Sequence, residues 1–127
     1  MTKENIADKA VEYKHSGYNC AQAVVKALTE AEGIEADSIL LQTAGFAVGM
    51  GTMETTCGAL IGANMIAGIK TEGKGTIMKS KELFNQFENQ CGASIWKDLK
   101  GRDTGVVLCE CDQCIRNAVA AYENVMI

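Results

Sequence analysis

The chain has 127 residues, 47% of them hydrophobic, with a formal charge of −4. That is the size of one domain, taken here as residues 1–127, able to bury a core without disulfide staples. The acidic balance offers no electrostatic footprint to phosphate backbones or anionic membranes, so nucleic acid is not an expected partner.

Thirteen glycines, no proline and 6% aromatics describe an all-α chain whose core uses Leu, Ile, Val, Ala and Met more than rings. The expected architecture is a bundle of about five to six helices. The opening residues, Met1 to Lys9, contain no apolar stretch resembling a secretory signal, so the expected compartment is the cytoplasm. The longest apolar run, Cys57 to Ile69, falls short of the ~20 residues a membrane span needs and reads as a buried helix. Six cysteines in a reducing compartment then point to reactive thiols or metal ligands rather than to a disulfide framework.

In chain order, Ile6, Ala7, Ala10 and Val11 predict an amphipathic first helix over Lys3 to about Lys14, closed by Ser16-Gly17. His15 falls at its polar end and is expected to face solvent. Asn19 caps a second helix in which Cys20, Ala23, Val24, Ala27 and Leu28 share one face, and Gly33 ends it. Asp37 or Ser38 caps a third, which dissolves near Ala44 into the glycine-rich turn Gly45 to Gly51. No Gly-Lys-Ser/Thr follows those glycines, so they are read as permitting close backbone approach, not as a phosphate cradle.

The central element follows. Thr55 or Thr56 caps a helix, so that Cys57 falls in its first turn, and Gly58, Ala59, Gly62, Ala63 and Ala67 allow neighbouring helices to come close. A polar joint from Thr71 to Thr76 leads to an amphipathic segment, Met78 to Phe87. A short helix capped by Ser94 and ended by Gly101 comes next, with Trp96 in its first turn; Val106 to Leu108 reads as a brief extended piece. Asp112 caps the last helix, Gln113 to about Val125, with Cys114 in its first turn.

Cys20, Cys57 and Cys114 thus each follow a capping residue, where the helix dipole lowers a thiol's pKa. The fragments Tyr18-Asn19-Cys20-Ala21-Gln22, Gly45-Phe46 through Gly51, Cys57-Gly58-Ala59-Leu60-Ile61-Gly62 and Cys114 occur in the order of the C_GCAxxG_C_C family, which the chain resembles from about Tyr18 to Val119. The resemblance implies a small, mainly helical prokaryotic protein, presumed redox-active and sometimes encoded near transporter genes, with Cys20, Cys57 and Cys114 as signature cysteines. The remaining signature cysteine belongs before Lys97-Asp98-Leu99, where this chain has Trp96. Either Cys91 substitutes from a neighbouring turn or this chain has one thiol fewer.

Three chemistries compete. In the favoured one, Cys57 attacks a disulfide or oxidant and Cys20 or Cys114 resolves the product, as in a thiol-disulfide oxidoreductase; it needs no cofactor, only a redox partner or small molecule. In the second, Cys109-x-Cys111-x-x-Cys114, completed by Cys91, Cys57 or Cys20, ligates zinc or an iron–sulfur cluster. In the third, the chain is a non-catalytic helical module, a homo-oligomer or an accessory to a transport system. One histidine and scattered acidic residues disfavour hydrolase chemistry.

Overall fold

The computed structural model describes residues 5–127. Among them are seven α-helices: α1 (Ile6–His15), α2 (Cys20–Glu32), α3 (Asp37–Thr43), α4 (Gly58–Lys70), α5 (Thr76–Cys91), α6 (Trp96–Lys100) and α7 (Cys111–Met126). The all-α expectation holds: the seven helices match the segments read along the sequence one by one and slightly exceed the expected bundle of about five to six. No strand forms among the described residues: 106–108 is irregular, and β-pairing there is limited to an isolated antiparallel bridge between Thr56 and Ile95.

The start of α1 expected at Lys3 lies outside the described residues; the helix begins at Ile6, with the Asn5 side chain accepting from the Ala7 amide. Its neighbour α2 starts where Asn19 predicts. The Asn19 carboxamide accepts from the Gln22 amide at 2.9 Å while Gln22 accepts from the Asn19 amide at 3.2 Å, a reciprocal capping box. Gly33, at φ 70°, ends it in the left-handed conformation. Helix α5 runs longer at both ends than the apolar pattern 78–87 suggests.

Four expected caps are corrected. Helix α3 starts from Ala36, α6 from Ile95 and α7 from Glu110, all without a side-chain cap, in place of Asp37 or Ser38, Ser94 and Asp112. At α4 the cap is Cys57 itself. Neither Thr55 nor Thr56 caps it: Thr56 is committed to the bridge with Ile95, and the Thr55 hydroxyl is buried without a hydrogen-bond partner.

Helices α4 and α7 form the middle of the bundle. Helix α2 packs on α4 and α1, while α7 packs on α5, α1 and α4. Between them lie Val24, Leu28, Ile66, Phe87, Ile115, Val119 and Tyr122, all fully buried. Burying a side chain of this size is worth about 1.5–3 kcal/mol each, and this core is what holds three helix starts in register. The α2–α4 crossing is close because of two glycines. A Cβ at Gly62 would sit 2.8 Å from the Ala21 carbonyl oxygen, and one at Gly58 would sit 3.2 Å from Ala21 Cβ and 2.6 Å from the Phe46 carbonyl oxygen in the turn after α3.

Candidate functional site

The starts of α2, α4 and α7 meet around a cavity of about 210 Å³ lined by Cys20, Cys57, Cys111 and Cys114, together with Lys14, Trp96 and Lys100. Each sulfur is delivered by local backbone chemistry. Asn19 fixes Cys20 as the first residue of α2. The segment before α4 is held against the segment before α6, with the Trp96 amide donating to the Thr55 carbonyl at 3.0 Å and the Cys57 amide to the Ser94 carbonyl at 2.8 Å. Helix α4 therefore cannot begin earlier than Cys57. At α7 the first residue is Cys111, and Cys114 closes the first turn through its amide to the Glu110 carbonyl at 2.8 Å.

The sulfurs fall into contacting sets. The Cys20 thiol donates to Cys111, and the Cys57 thiol donates to Cys114. Deeper in the core, the sulfurs of Cys91, Cys109 and Cys114 all lie within 4.8 Å of one another, close enough to ligate one ion. Of the expected ligand set Cys91, Cys109, Cys111 and Cys114, these three come together and Cys111 stands apart, against Cys20. All six cysteines are unbridged.

Two donors complete the inner group. Lys100 Nζ donates to the Cys109 carbonyl at 2.7 Å and to Cys114 Sγ at 3.4 Å. Asn117 Nδ2 donates to Cys91 Sγ at 3.1 Å and approaches Cys109 Sγ at 3.9 Å. Sequence reasoning missed both, along with Lys14. Asn117 was findable, since it follows Cys114 by three residues and so shares its helix face. The two lysines carry no such signal, because only the tertiary fold brings them to the thiols.

Position at a helix start predicts a lowered pKa at Cys20, Cys57 and Cys114, and the environment overrides it at all three. Cys57 is pushed up by donating to Cys114 and by burial, although the Ala59 amide pulls the other way. Cys20 is pushed up by donating to Cys111 and by burial. At Cys114 the Cys57 thiol favours the anion, but the contact with Cys91 and burial outweigh it. Burial raises Cys109 to about 11. The lowered thiol is Cys111, brought down to about 5 by the Cys20 hydrogen bond, with Lys100 and Lys14 helping against burial. Lys100 keeps its charge: burial opposes it, but Cys114 and Cys111 more than compensate.

Trp96 borders the cavity, whereas Cys91, at the end of α5, does not line it. Cys91 lies instead against Cys109 and Cys114. His15 is exposed, as expected, and its Nε2 pairs with Asp112 Oδ2 at 2.9 Å. A second, apolar groove of about 550 Å³ between α4 and α5 is lined by Leu60, Ile61, Ile77 and Phe84 and contains no cysteine. Among the described residues no helix is long and apolar enough to cross a membrane.

The family described as "Putative redox-active protein (C_GCAxxG_C_C)" matches residues 18–125. Neither the curated proteins nor the solved structures give a match.

Proposed function

The chain belongs to the C_GCAxxG_C_C family, and from that premise we propose that it is a thiol–disulfide redox protein working through the cysteines of the cavity. The observation that carries this reading is the meeting of Cys20 and Cys111 on the cavity wall, with Cys57 and Cys114 as a second thiol pair lining the same space. Cys57 is the buried member and Cys111 the half-exposed one, so the attacking role passes from Cys57 to Cys111. Its partner is a small disulfide or a partner's disulfide, and its compartment a reducing one, the cytoplasm.

The cycle balances without a cofactor. The Cys111 thiolate attacks one sulfur of a disulfide substrate, forming a mixed disulfide and expelling the other sulfur as a thiolate, which takes the Cys20 proton. Cys20 then attacks Cys111 Sγ in the mixed disulfide and expels the second substrate thiolate. The substrate gains two electrons and the protein holds a Cys20–Cys111 disulfide. Lys14 and Lys100, whose charges act on Cys111, stabilise the attacking anion.

The test is a single-turnover reaction of the reduced protein with an aromatic disulfide, read by thiol release and by mass mapping of the product. Wild type should end with Cys20 bridged to Cys111. Cys20→Ser should stop at a mixed disulfide on Cys111, and Cys111→Ser should form no disulfide at Cys20. A product bridged between Cys57 and Cys114, with Cys20 and Cys111 unmodified, would move the couple to the inner pair; no intramolecular bridge at all would end the redox reading.

A further inference from the structure

Beyond the redox couple, we propose that Cys91, Cys109 and Cys114 form a binding site for one zinc ion. The three sulfurs come from the last residue of α5, the loop before α7 and the first turn of α7, they are 3%, 5% and 1% exposed, and all lie within 4.8 Å of one another. Zinc–thiolate bonds of about 2.3 Å place tetrahedral sulfurs about 3.8 Å apart, so closing this group around an ion takes no more than about 1 Å of side-chain rotation. The three occupy three of the four tetrahedral positions. A cluster would put iron and bridging sulfide between neighbouring cysteine sulfurs and needs them spread wider, which argues for a single ion.

The surroundings supply N–H donors to sulfur and match the charge of a zinc–thiolate group. Asn117 Nδ2 at 3.1 Å from Cys91 Sγ and Lys100 Nζ at 3.4 Å from Cys114 Sγ are N–H donors aimed at sulfur, the outer shell that orients metal thiolates. Zn²⁺ with three thiolates carries −1, and the Lys100 ammonium neutralises it; a monovalent ion would leave the buried site negative. Binding moves the thiol protons to solvent as the metal takes the sulfurs.

The positions are also fixed before any ion arrives. The Leu108 and Cys109 amides both donate to the Leu99 carbonyl, at 2.9 and 3.2 Å, and hold the loop that presents Cys109. Gly101, at φ 70°, lets that loop pass: a Cβ there would meet the Val106 carbonyl oxygen at 2.4 Å.

The experiment titrates reduced, chelator-treated wild-type protein with Zn²⁺ alone and, as a spectroscopic probe, with Co²⁺ alone, then maps alkylation rates with and without zinc. The expected result is one ion per chain, thiolate-to-cobalt charge-transfer absorption with tetrahedral d–d bands, and zinc protection of Cys91, Cys109 and Cys114 but not of Cys20 and Cys111. Cys109→Ala should weaken zinc by about 100-fold or more and Asn117→Leu by about 10-fold. Absence of stoichiometric uptake, or protection of Cys20 and Cys111 instead, overturns the proposal. The protection map is read on wild type, so a variant that misfolds does not decide it. Because Cys20 and Cys111 ligate nothing here, failed zinc uptake with intact disulfide turnover sinks this site and leaves the redox couple standing.

Discussion

The thiol of Cys20 donates to the sulfur of Cys111, so that the first residues of α2 and α7 share a proton although most of the chain lies between them. The sharing holds Cys111 at about 5 and stabilises the reduced couple, which makes its disulfide an oxidant. Equilibration with glutathione buffers should place the Cys20–Cys111 couple at a more oxidising potential than a dithiol of ordinary acidity, because the thiolate is stabilised in the reduced form alone. A potential at or below that of such a dithiol would remove the thiolate argument.

The same acidity sets a pH profile for alkylation of the reduced, metal-free protein. Near pH 5 about half of Cys111 is thiolate against about one part in 10⁴ for a thiol at 9, and the weaker nucleophilicity of an acidic thiolate takes back a factor of about 60. Cys111 should therefore outpace a reference thiol of pKa about 9 by about 80-fold near pH 5 and differ from it by less than about 3-fold at pH 7. Lys100→Met removes a cation acting on Cys111 and should move the acid limb upward. A rate that keeps rising from pH 7 to pH 9 would contradict the profile.

Stability follows by linkage. The lowered Cys111 pKa adds stability that is complete above the unfolded value of 9.0 and is lost as pH falls through about 5. The raised Cys109 acts with the opposite sign, its contribution complete below 9.0 and lost as pH rises through about 11. The difference in urea midpoint between wild type and Cys111→Ser should shrink on acidification from about pH 8 to about pH 5; a constant difference would deny the shift.

Two alanine substitutions within α4 should act in opposite directions. At Gly58 a Cβ would lie 2.6 Å from the Phe46 carbonyl oxygen and 3.2 Å from Ala21 Cβ, so Gly58→Ala should cost about 1–3 kcal/mol despite its better helix propensity. At Gly68 the nearest atom is Thr76 Cγ2 at 4.0 Å, and Gly68→Ala should gain up to about 1 kcal/mol. Chemical denaturation distinguishes the two; equal effects would mean the crossing is looser than its distances.

Asn19→Ala removes the side-chain half of the capping box, the Gln22 amide to Asn19 Oδ1, and the bond from Asn19 Nδ2 to the Ala44 carbonyl at 3.0 Å. A loss of about 0.5–2 kcal/mol is expected, measured by urea unfolding. The Cys20–Cys111 couple should also shift, since the cap fixes where Cys20 starts; a change in stability with no change in the couple would make Asn19 merely structural.

What was legible in the sequence was local. Asn19 announced α2 because capping is decided within four residues, and Gly33 and Gly101 announced helix ends for the same reason. The Cys57 cap was misread because what fixes it is the Thr56–Ile95 bridge and the Ser94 carbonyl, partners far along the chain. The thiol acidities were misread similarly. A helix dipole can be inferred from one segment, but whether a thiol gives or receives a proton depends on its neighbour, and Cys20 and Cys111 are neighbours only after folding. The surroundings of Cys91 could not be read from spacing along the chain, because it is the length of α5 that carries it to Cys109 and Cys114.

The glycine-lined crossing of α2 and α4 also sets the width of the cavity. Gly62 lies against the Ala21 carbonyl and Val25, and Gly58 against Ala21 and the Phe46 carbonyl, so the helix that starts at Cys20 and the helix that starts just after Cys57 are wedged together at the end that carries the thiols. A side chain added at Gly62 would push those two walls apart, although Gly62 does not itself line the space between them.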